Sequence, residues 1–318
     1  MARIDITLRG SQDARPPMLV VPSLIAVPAG LVTTVGSPQP QGAPGVNNTG
    51  PRVGVLTPSG SITASQPGQV IQGKNISGRI LVTAPNVKIL DNRITYNGTA
   101  APIDVGAGAA GLEVGYNDIE STGASAGGIK GNFGGAGRAN NDHGSNIWVH
   151  HNHIYGYGDG IKGASYGLYE WNYVHVTRFP GTIKHIDGMQ FQGGSHFTVR
   201  FNYVDQPYSA GFNSCIFVMT FTGTTNVAID DFKILNNWVG GAINTLQVGA
   251  QKTNAPGVSS ATNGVFRDNI IYRPPATTFL YGVFQDRQHS SSNGGFGVYP
   301  GWWYDDPTHA PVPRGNIN

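Results

Sequence analysis

The chain has 318 residues, of which only 12% are charged, and its formal net charge at pH 7 is +2. Its 46 glycines and 21 prolines argue against a helical bundle, whereas 39% hydrophobic residues are too many for a disordered chain. No block of basic or acidic residues is present, so the composition gives no support for nucleic-acid binding, and a single cysteine excludes an internal disulfide framework.

The first 68 residues differ in composition from the rest of the chain. Residues 1–10 alternate apolar and polar side chains, which predicts a short strand able to pair with a partner. Residues 11–68 are rich in Pro, Gly, Ser and Thr. This composition indicates either an arm that attaches the protein to a neighbour in a virion or a cap followed by a loose linker.

We expect neither a signal peptide nor a membrane span in this region. The N-terminus carries charged residues where a signal peptide has its apolar segment, and prolines and a glycine interrupt the apolar stretch 18–35. A surface-type composition without a secretion signal fits a protein that is made in a host cytoplasm and used outside it, as virion proteins are.

One sequence pattern recurs from residue 87 to residue 271: apolar, any, apolar, two mostly polar or aromatic residues, Asn, any, apolar. The pattern places seven asparagines at spacings of 25, 35, 20, 30, 35 and 32 residues, and a degenerate copy around Asn75 precedes them. The seven are Asn92, Asn117, Asn152, Asn172, Asn202, Asn237 and Asn269.

The alternation before each asparagine predicts a strand, and Asn suits a sharp bend before the next strand. If the copies stack, each amide can hydrogen bond to the next Asn at the strand spacing of ~4.8 Å, which forms a ladder inside the core. A constant motif at variable spacing indicates a parallel β-solenoid with loops of different length. The alternative is an all-β sandwich of about a dozen strands, which would not require Asn at one fixed place.

The repeats, together with Gly158-Asp-Gly-Ile-Lys-Gly163 and His185-Ile-Asp-Gly-Met-Gln190, resemble the right-handed parallel β-helix proteins of the pectate-lyase-like superfamily. The closest resemblance is to those that bacteriophages carry as tail spikes or minor tail proteins. It implies an all-β fold with a parallel β-helix over residues 69–290, and a side-by-side homotrimer. The superfamily holds lyases, hydrolases and non-enzymatic binders, so the resemblance leaves the activity open.

Three copies of a shorter motif, Gly-Ile-Lys or Gly-Met-Gln, fall in comparable register. If the middle residue points into the core, alternation directs the third residue outward. The resulting column consists of Lys130, Lys162 and Gln190, and Gln247 continues it. We expect this column to bind a polysaccharide, and its two lysines favour an anionic one. The competing interpretations are a solvated face and a surface that a neighbouring subunit covers.

Asp159 and Asp187 are the one obvious stacked acidic pair, and each precedes a glycine. Glycoside hydrolysis needs two carboxyl groups, about 5–5.5 Å apart for retention or about 6.5–9.5 Å apart for inversion. The alternative is that two stacked Asp-Gly turns place the carboxyls there without catalysis.

Lyase chemistry needs a cation that neutralises a uronate carboxylate and a base that removes the neighbouring proton. Lys162 or Arg178 supplies the cation in this hypothesis, and His185 or Lys184 supplies the base. The candidate catalytic residues are therefore Asp159, Asp187 and His185.

Other residues have simpler interpretations. Alternation along a strand places neighbouring residues on different faces, so His150, His151 and His153 are not expected to bind one metal ion. We expect no other cofactor. Cys215 lies in an apolar run and is expected in the core. The Gly/Asn-rich insertion 131–145 fits the wall of a groove or an intersubunit loop.

Beyond the last repeat, the aromatic segment 291–318 is expected to cap the open end of the solenoid or to form a subunit contact, since solenoids need caps. Its residues Trp302, Trp303 and Tyr304 fit packing better than sugar binding.

These observations predict a bacteriophage virion structural protein, a tail spike, fibre or minor tail protein, that contacts host-surface polysaccharide. The expected partners are copies of the chain in a trimer, other virion proteins bound through residues 1–68, and a host glycan. A polysaccharide lyase or glycoside hydrolase, and a decoration protein without glycan affinity, are the alternatives.

Overall fold

A computed structural model describes residues 40–106, 108–123, 129–130, 145–163, 165–178, 186–207, 212–220, 229–242, 244–250, 261–272, 284–286 and 303–304. Side chains are described for most of these residues. The predicted strand within 1–10, residues 11–39 of the arm, Lys184, His185, the insertion 131–144 and nearly all of the C-terminal cap lie outside this range.

Every strand in the described ranges belongs to one of three sheets, and every pairing is parallel. The first sheet contains, in spatial order, β1 (Thr57–Ser59), β4 (Lys74–Ser77), β7 (Arg93–Tyr96), β10 (Asp118–Ser121), β13 (His153–Tyr157), β16 (Tyr173–Arg178), β19 (Tyr203–Asp205), β22 (Trp238–Gly240), β25 (Ile270–Tyr272) and β27 (Trp303–Tyr304).

The second sheet contains β2 (Ile62–Ala64), β5 (Ile80–Val82), β8 (Ile103–Val105), β11 (Ile129–Lys130), β14 (Ile161–Lys162), β17 (Ile186–Phe191), β20 (Phe212–Thr220), β23 (Asn244–Ala250) and β26 (Phe284–Asp286). The third sheet contains β3 (Val70–Gln72), β6 (Lys88–Leu90), β9 (Glu113–Gly115), β12 (Trp148–His150), β15 (Leu168–Glu170), β18 (Gly194–Arg200), β21 (Ile229–Leu235) and β24 (Ala261–Arg267).

From β1 to β26 the chain visits the three sheets in a fixed cycle, and we call one pass through the cycle a rung. Each strand therefore pairs with the strand three places later, which places equivalent residues of successive rungs side by side. This all-β, parallel architecture is compatible with a parallel β-helix. Parallel pairing in all the described strands rules out the sandwich, whose sheets are built from antiparallel strands.

The core consists of aligned apolar columns, because the period-2 pattern sends every second side chain of each strand to the same side. In the first sheet one column is made of β-branched residues that are all fully buried. Its members are Ile76, Ile94, Ile119, Ile154, Val174, Val204 and Val239.

The predicted asparagine ladder is present, and its amides are buried. In a typical link, the backbone N–H and the Nδ2 amide of Asn152 both donate to Oδ1 of Asn172, at 3.1 and 2.9 Å. Nδ2 of Asn152 also donates to the carbonyl of Val114 in the preceding rung, at 2.9 Å. The same amide-to-amide contact joins all seven asparagines from Asn92 to Asn269.

The ladder begins at Asn92 rather than in the degenerate copy. Asn75 is exposed on β4, and the backbone N–H of Lys74 donates to Oδ1 of Asn92 at 3.0 Å. The degenerate copy thus contributes a strand without a ladder amide.

The residue before each ladder asparagine makes the bend, and the asparagine itself does not have positive φ. This differs from the prediction that the asparagine itself makes the sharp bend. Since the Asn side chain must point inward to reach the next rung, the left-handed turn falls on the preceding residue. These residues, with φ between 52° and 56°, are Asp91, Tyr116, His151, Trp171, Phe201, Asn236 and Asp268.

The segment 40–68 packs against the rungs and is not a loose linker. Ala43 is fully buried against Tyr203 on the outer face of the first sheet. Arg52 donates to both carboxylate oxygens of Asp91, at 2.8 and 2.7 Å. The first strand begins at Thr57, so the boundary expected at residue 69 is too late. Composition misses this contact because a segment without alternation can still dock on a sheet that others form.

No helix among the described residues is long and apolar enough to cross a membrane.

Replacing Asn172 with Leu should lower the free energy of unfolding by at least about 3 kcal/mol, because several buried donors and acceptors lose their partners at about 1–3 kcal/mol each. Chemical denaturation measures this change. The matched control is Asn75→Leu, which alters an exposed asparagine and should cost no more than about 0.5 kcal/mol. Equal effects of the two substitutions would contradict the ladder.

Candidate functional site

The column expected from the sequence lies in register on the second sheet. Lys130, Lys162 and Gln190 are direct neighbours on β11, β14 and β17. The register then continues through Phe217 to Gln247 and ends at Gln285 on β26. We call the section from Lys162 to Gln247, with the polar side chains bonded to it, the polar strip.

The polar strip lies on the side of the second sheet that faces away from the core. The residues that alternate with it, Ile161, Met189 and Leu246, are fully buried in the hydrophobic core. A second polar column runs beside it and includes Asp187 and Ser214, which are paired in register. Hydrogen bonds join the two columns, so both lie on the same side of the sheet.

The two aspartates of the predicted acidic pair meet in this network. Nζ of Lys162 lies 2.9 Å from Oδ2 of Asp159. The backbone N–H of Asp187 donates to Oδ1 of Asp159 at 2.8 Å. The Asp187 carboxyl accepts from Nε2 of Gln190 at 2.8 Å and from Nδ2 of Asn213 at 3.0 Å. Two stacked turns do not account for the contact between Asp159 and Asp187, because side chains from three strands converge on it.

The network continues to the next rung through Gln247. Its Oε1 accepts from Nδ2 of Asn213 at 3.0 Å and from Oγ of Ser214 at 2.9 Å. Asn213 therefore bridges the acidic pair to the far end of the polar strip.

Asp187 is the acid of this network whose pKa is shifted most. Burial, and next the charge of Asp159, raise the pKa of its carboxyl from 3.8 to about 8. Hydrogen bonds from Asn213 and Gln190 and the charge of Lys162 act in the opposite direction. The Asp187 carboxyl therefore keeps its proton at neutral pH, beside a second carboxyl that has a cation for a partner.

The structure corrects the expectation of a solvent-facing column. Gln190 is 5% exposed and Gln247 is 1% exposed, since their amides bond within the network. The partly exposed members are Lys162, with 23% of its side chain accessible, and Asn213. Alternation correctly predicts the side of the sheet on which a side chain lies. It does not predict whether other atoms cover that side chain. The side chain of Lys130 lies outside the described part of the chain.

The other candidates for lyase chemistry do not join this network in the described residues. His185 and Lys184 fall outside the described ranges, as does the side chain of Arg178.

Sequence reasoning missed Asn213 and Ser214, because they open a strand that otherwise reads as an apolar run. The signal was a pair of small polar residues directly before Cys215, in register with the acidic pair. Cys215 itself is fully buried in the core, as expected.

The histidine group also differs from its prediction. Nδ1 of His150 and Nδ1 of His151 lie only 3.1 Å apart, because the positive φ of His151 overrides the alternation that would separate them. His153 instead pairs with Asp118 at 3.1 Å. Within the described ranges no three metal-ligating side chains converge on one point.

Comparisons of the sequence with protein-family models and with curated proteins, and of the fold with solved structures, found no match.

The pH dependence of stability tests the environment of Asp187. Its carboxyl keeps a proton up to about pH 8 when folded but releases it near pH 4 when unfolded. The contribution of Asp187 to stability should therefore fall as the pH rises from 4 to 8, by at most about 1.4 kcal/mol per unit, and level off above 8. The Asp187→Asn variant lacks this contribution. The stability of the variant minus that of the native chain should therefore increase from pH 4 to pH 8.

Thermal or urea unfolding at several pH values measures the difference. Asp268→Asn, which removes the carboxyl of an exposed aspartate elsewhere in the chain, is the control. Parallel curves for Asp187→Asn and the native chain would show that Asp187 is ionised in the folded protein.

Proposed function

We propose that the protein is a structural component of a bacteriophage virion, a tail spike, fibre or minor tail protein, that contacts a host-surface polysaccharide. In this proposal the three parallel sheets form a right-handed β-helix, and the polar strip on the second sheet is the contact surface. The observation that carries the proposal is the unbroken register of one column over six strands, from Lys130 to Gln285.

A polymer with repeating units fits a surface with repeating side chains. Adjacent strands lie about 4.8 Å apart, so the positions of the column recur at regular intervals along the stack, and the buried Phe217 separates the polar positions of Gln190 and Gln247. Amide side chains donate and accept hydrogen bonds and so match sugar hydroxyls. Lys162 and Asn213 are the members that an approaching polymer meets first, because they are partly exposed.

The virion location and a homotrimeric assembly are supported by the resemblance of the repeats to phage β-helix proteins and by the Pro/Gly-rich composition of the N-terminal segment. Residues 40–68 pack on the rungs of their own chain. We therefore assign the contact with other virion proteins to residues 1–39.

Lys162→Met should weaken binding to the host polysaccharide about tenfold, since a charge-assisted hydrogen bond is worth about 1.5–3 kcal/mol. Affinity electrophoresis and cell-binding assays measure this change. Lys233→Met is the matched control, because it removes an exposed lysine from the third sheet. Unchanged binding by Lys162→Met would favour a decoration protein without glycan affinity.

Glycoside hydrolysis is the second candidate function, and the protonated Asp187 carboxyl favours it over lysis. A hydrolase needs one carboxyl that donates a proton and one that is ionised. Asp187 has a raised pKa, and Asp159 has Lys162 as its ion-pair partner. A lyase needs a free cation for the uronate, whereas Lys162 is paired with Asp159.

If the pair hydrolyses a glycan, Asp187→Asn should reduce the release of reducing ends at least about 100-fold while binding is retained, because an amide cannot donate the proton. Asp268→Asn again serves as the control. Cleavage that persists in both Asp187→Asn and Asp159→Asn would assign the two carboxyls to a structural network.

A further inference from the structure

The charges of the polar strip differ from those that its sequence suggests. In the sequence, the two lysines of the column favour binding of an anionic polymer. We propose instead that the strip selects an uncharged polysaccharide and recognises it through its hydroxyl groups. This inference rests on the proposed glycan contact and names the class of glycan.

The cation of the strip is already neutralised. Nζ of Lys162 lies 2.9 Å from the carboxylate of Asp159, whose side chain is only 9% exposed. Turning the lysine toward a ligand carboxylate would leave that buried carboxylate without its charge partner, which is costly in a poorly solvated site.

The remaining members of the strip carry no charge at neutral pH. Asp187 keeps its proton there because burial and Asp159 raise its pKa. Gln190, Asn213 and Gln247 contribute amides, which have both donor and acceptor atoms. The described strip from Lys162 to Gln247 therefore has one cation, one anion and no net charge.

Gln190 has a buried amide atom whose hydrogen-bonding capacity is not satisfied within the protein. One end of its amide donates to Asp187, while Oε1 is buried without a partner. If the proton of Asp187 faces Gln190, the amide turns over and Nε2 takes the unpartnered position. In either orientation one polar atom of a side chain that is 5% exposed is left unsatisfied, which costs about 1–3 kcal/mol.

If the side chain of Gln190 turns toward the surface, a hydroxyl group can satisfy that atom in both orientations, because a hydroxyl both donates and accepts. A ligand carboxylate only accepts, so it satisfies the amide of Gln190 in one orientation only. The chemistry of the strip therefore matches neutral sugars and discriminates against uronates.

Affinity electrophoresis on matched polymers tests this class. The probes are uronate-containing bacterial surface polysaccharides, each used in its native form and after reduction of its carboxyl groups, together with naturally uncharged ones. The native chain should be retarded by reduced and uncharged polymers at least tenfold more strongly than by the uronate forms, and raising the salt concentration should change this little.

Asp159→Asn provides a test by gain of function. The asparagine keeps an oxygen for the backbone N–H of Asp187 but frees the charge of Lys162. This variant should acquire salt-sensitive binding to the uronate polymers, and the double variant Asp159→Asn, Lys162→Gln should lose it again. Thermal unfolding checks that both variants fold.

The outcomes separate the class of glycan from the proposed function. Preferential binding of the native chain to uronate polymers would overturn the selection of uncharged glycans and leave the glycan contact intact. Binding to no polymer in either form would overturn the glycan contact itself. If Asp159→Asn folds but gains no uronate binding, Lys162 is not masked by Asp159 and the inference fails.

Discussion

A buried amide that must find hydrogen-bond partners is the constraint on which the rest of this structure depends. Each ladder asparagine has donors and an acceptor in the core, where an unsatisfied polar group costs about 1–3 kcal/mol. The group that can satisfy it is the amide of the next rung, together with a backbone carbonyl. A slip of one residue would break both contacts, so the ladder specifies the register of neighbouring rungs even where 20 to 35 residues separate them.

The outer surface inherits this register. Because the rungs cannot slide, the residues of the second sheet that face away from the core form straight columns, and side chains far apart in sequence become neighbours. Asp159 and Asp187 are 28 residues apart, yet one accepts the backbone N–H of the other. The same alignment brings Asn213 and Gln247 into one hydrogen-bonded network. The site is thus a consequence of the interior, and its loops can vary in length without disturbing it.

Much of this could be predicted from residues alone. The asparagine spacing identified the ladder, and alternation identified the neighbours Lys130, Lys162 and Gln190. These features follow from local patterns that repeat. What could not be predicted depends on contacts between distant residues, such as the burial of Gln190 and Gln247.

Two further differences have physical causes that leave little trace in sequence. The bend falls on the residue before each asparagine because the amide has to point inward, and bulky residues such as Trp171 accept a left-handed conformation there. Stacking of Trp171 on Phe201, at 5.1 Å between ring centroids, accompanies it. The packing of Ala43 against Tyr203 likewise cannot be predicted, because the composition of the segment that contains Ala43 is typical of a linker.

Amide hydrogen exchange of the ladder asparagines tests the central claim most directly. The backbone N–H groups of Asn117, Asn152, Asn172 and Asn202 each donate to the side chain of the next ladder residue. If these bonds hold the rungs in register, all four should exchange only through global unfolding and share one high protection factor. Rapid exchange at any of them, with its neighbours protected, would show that the rungs are not joined through these amides.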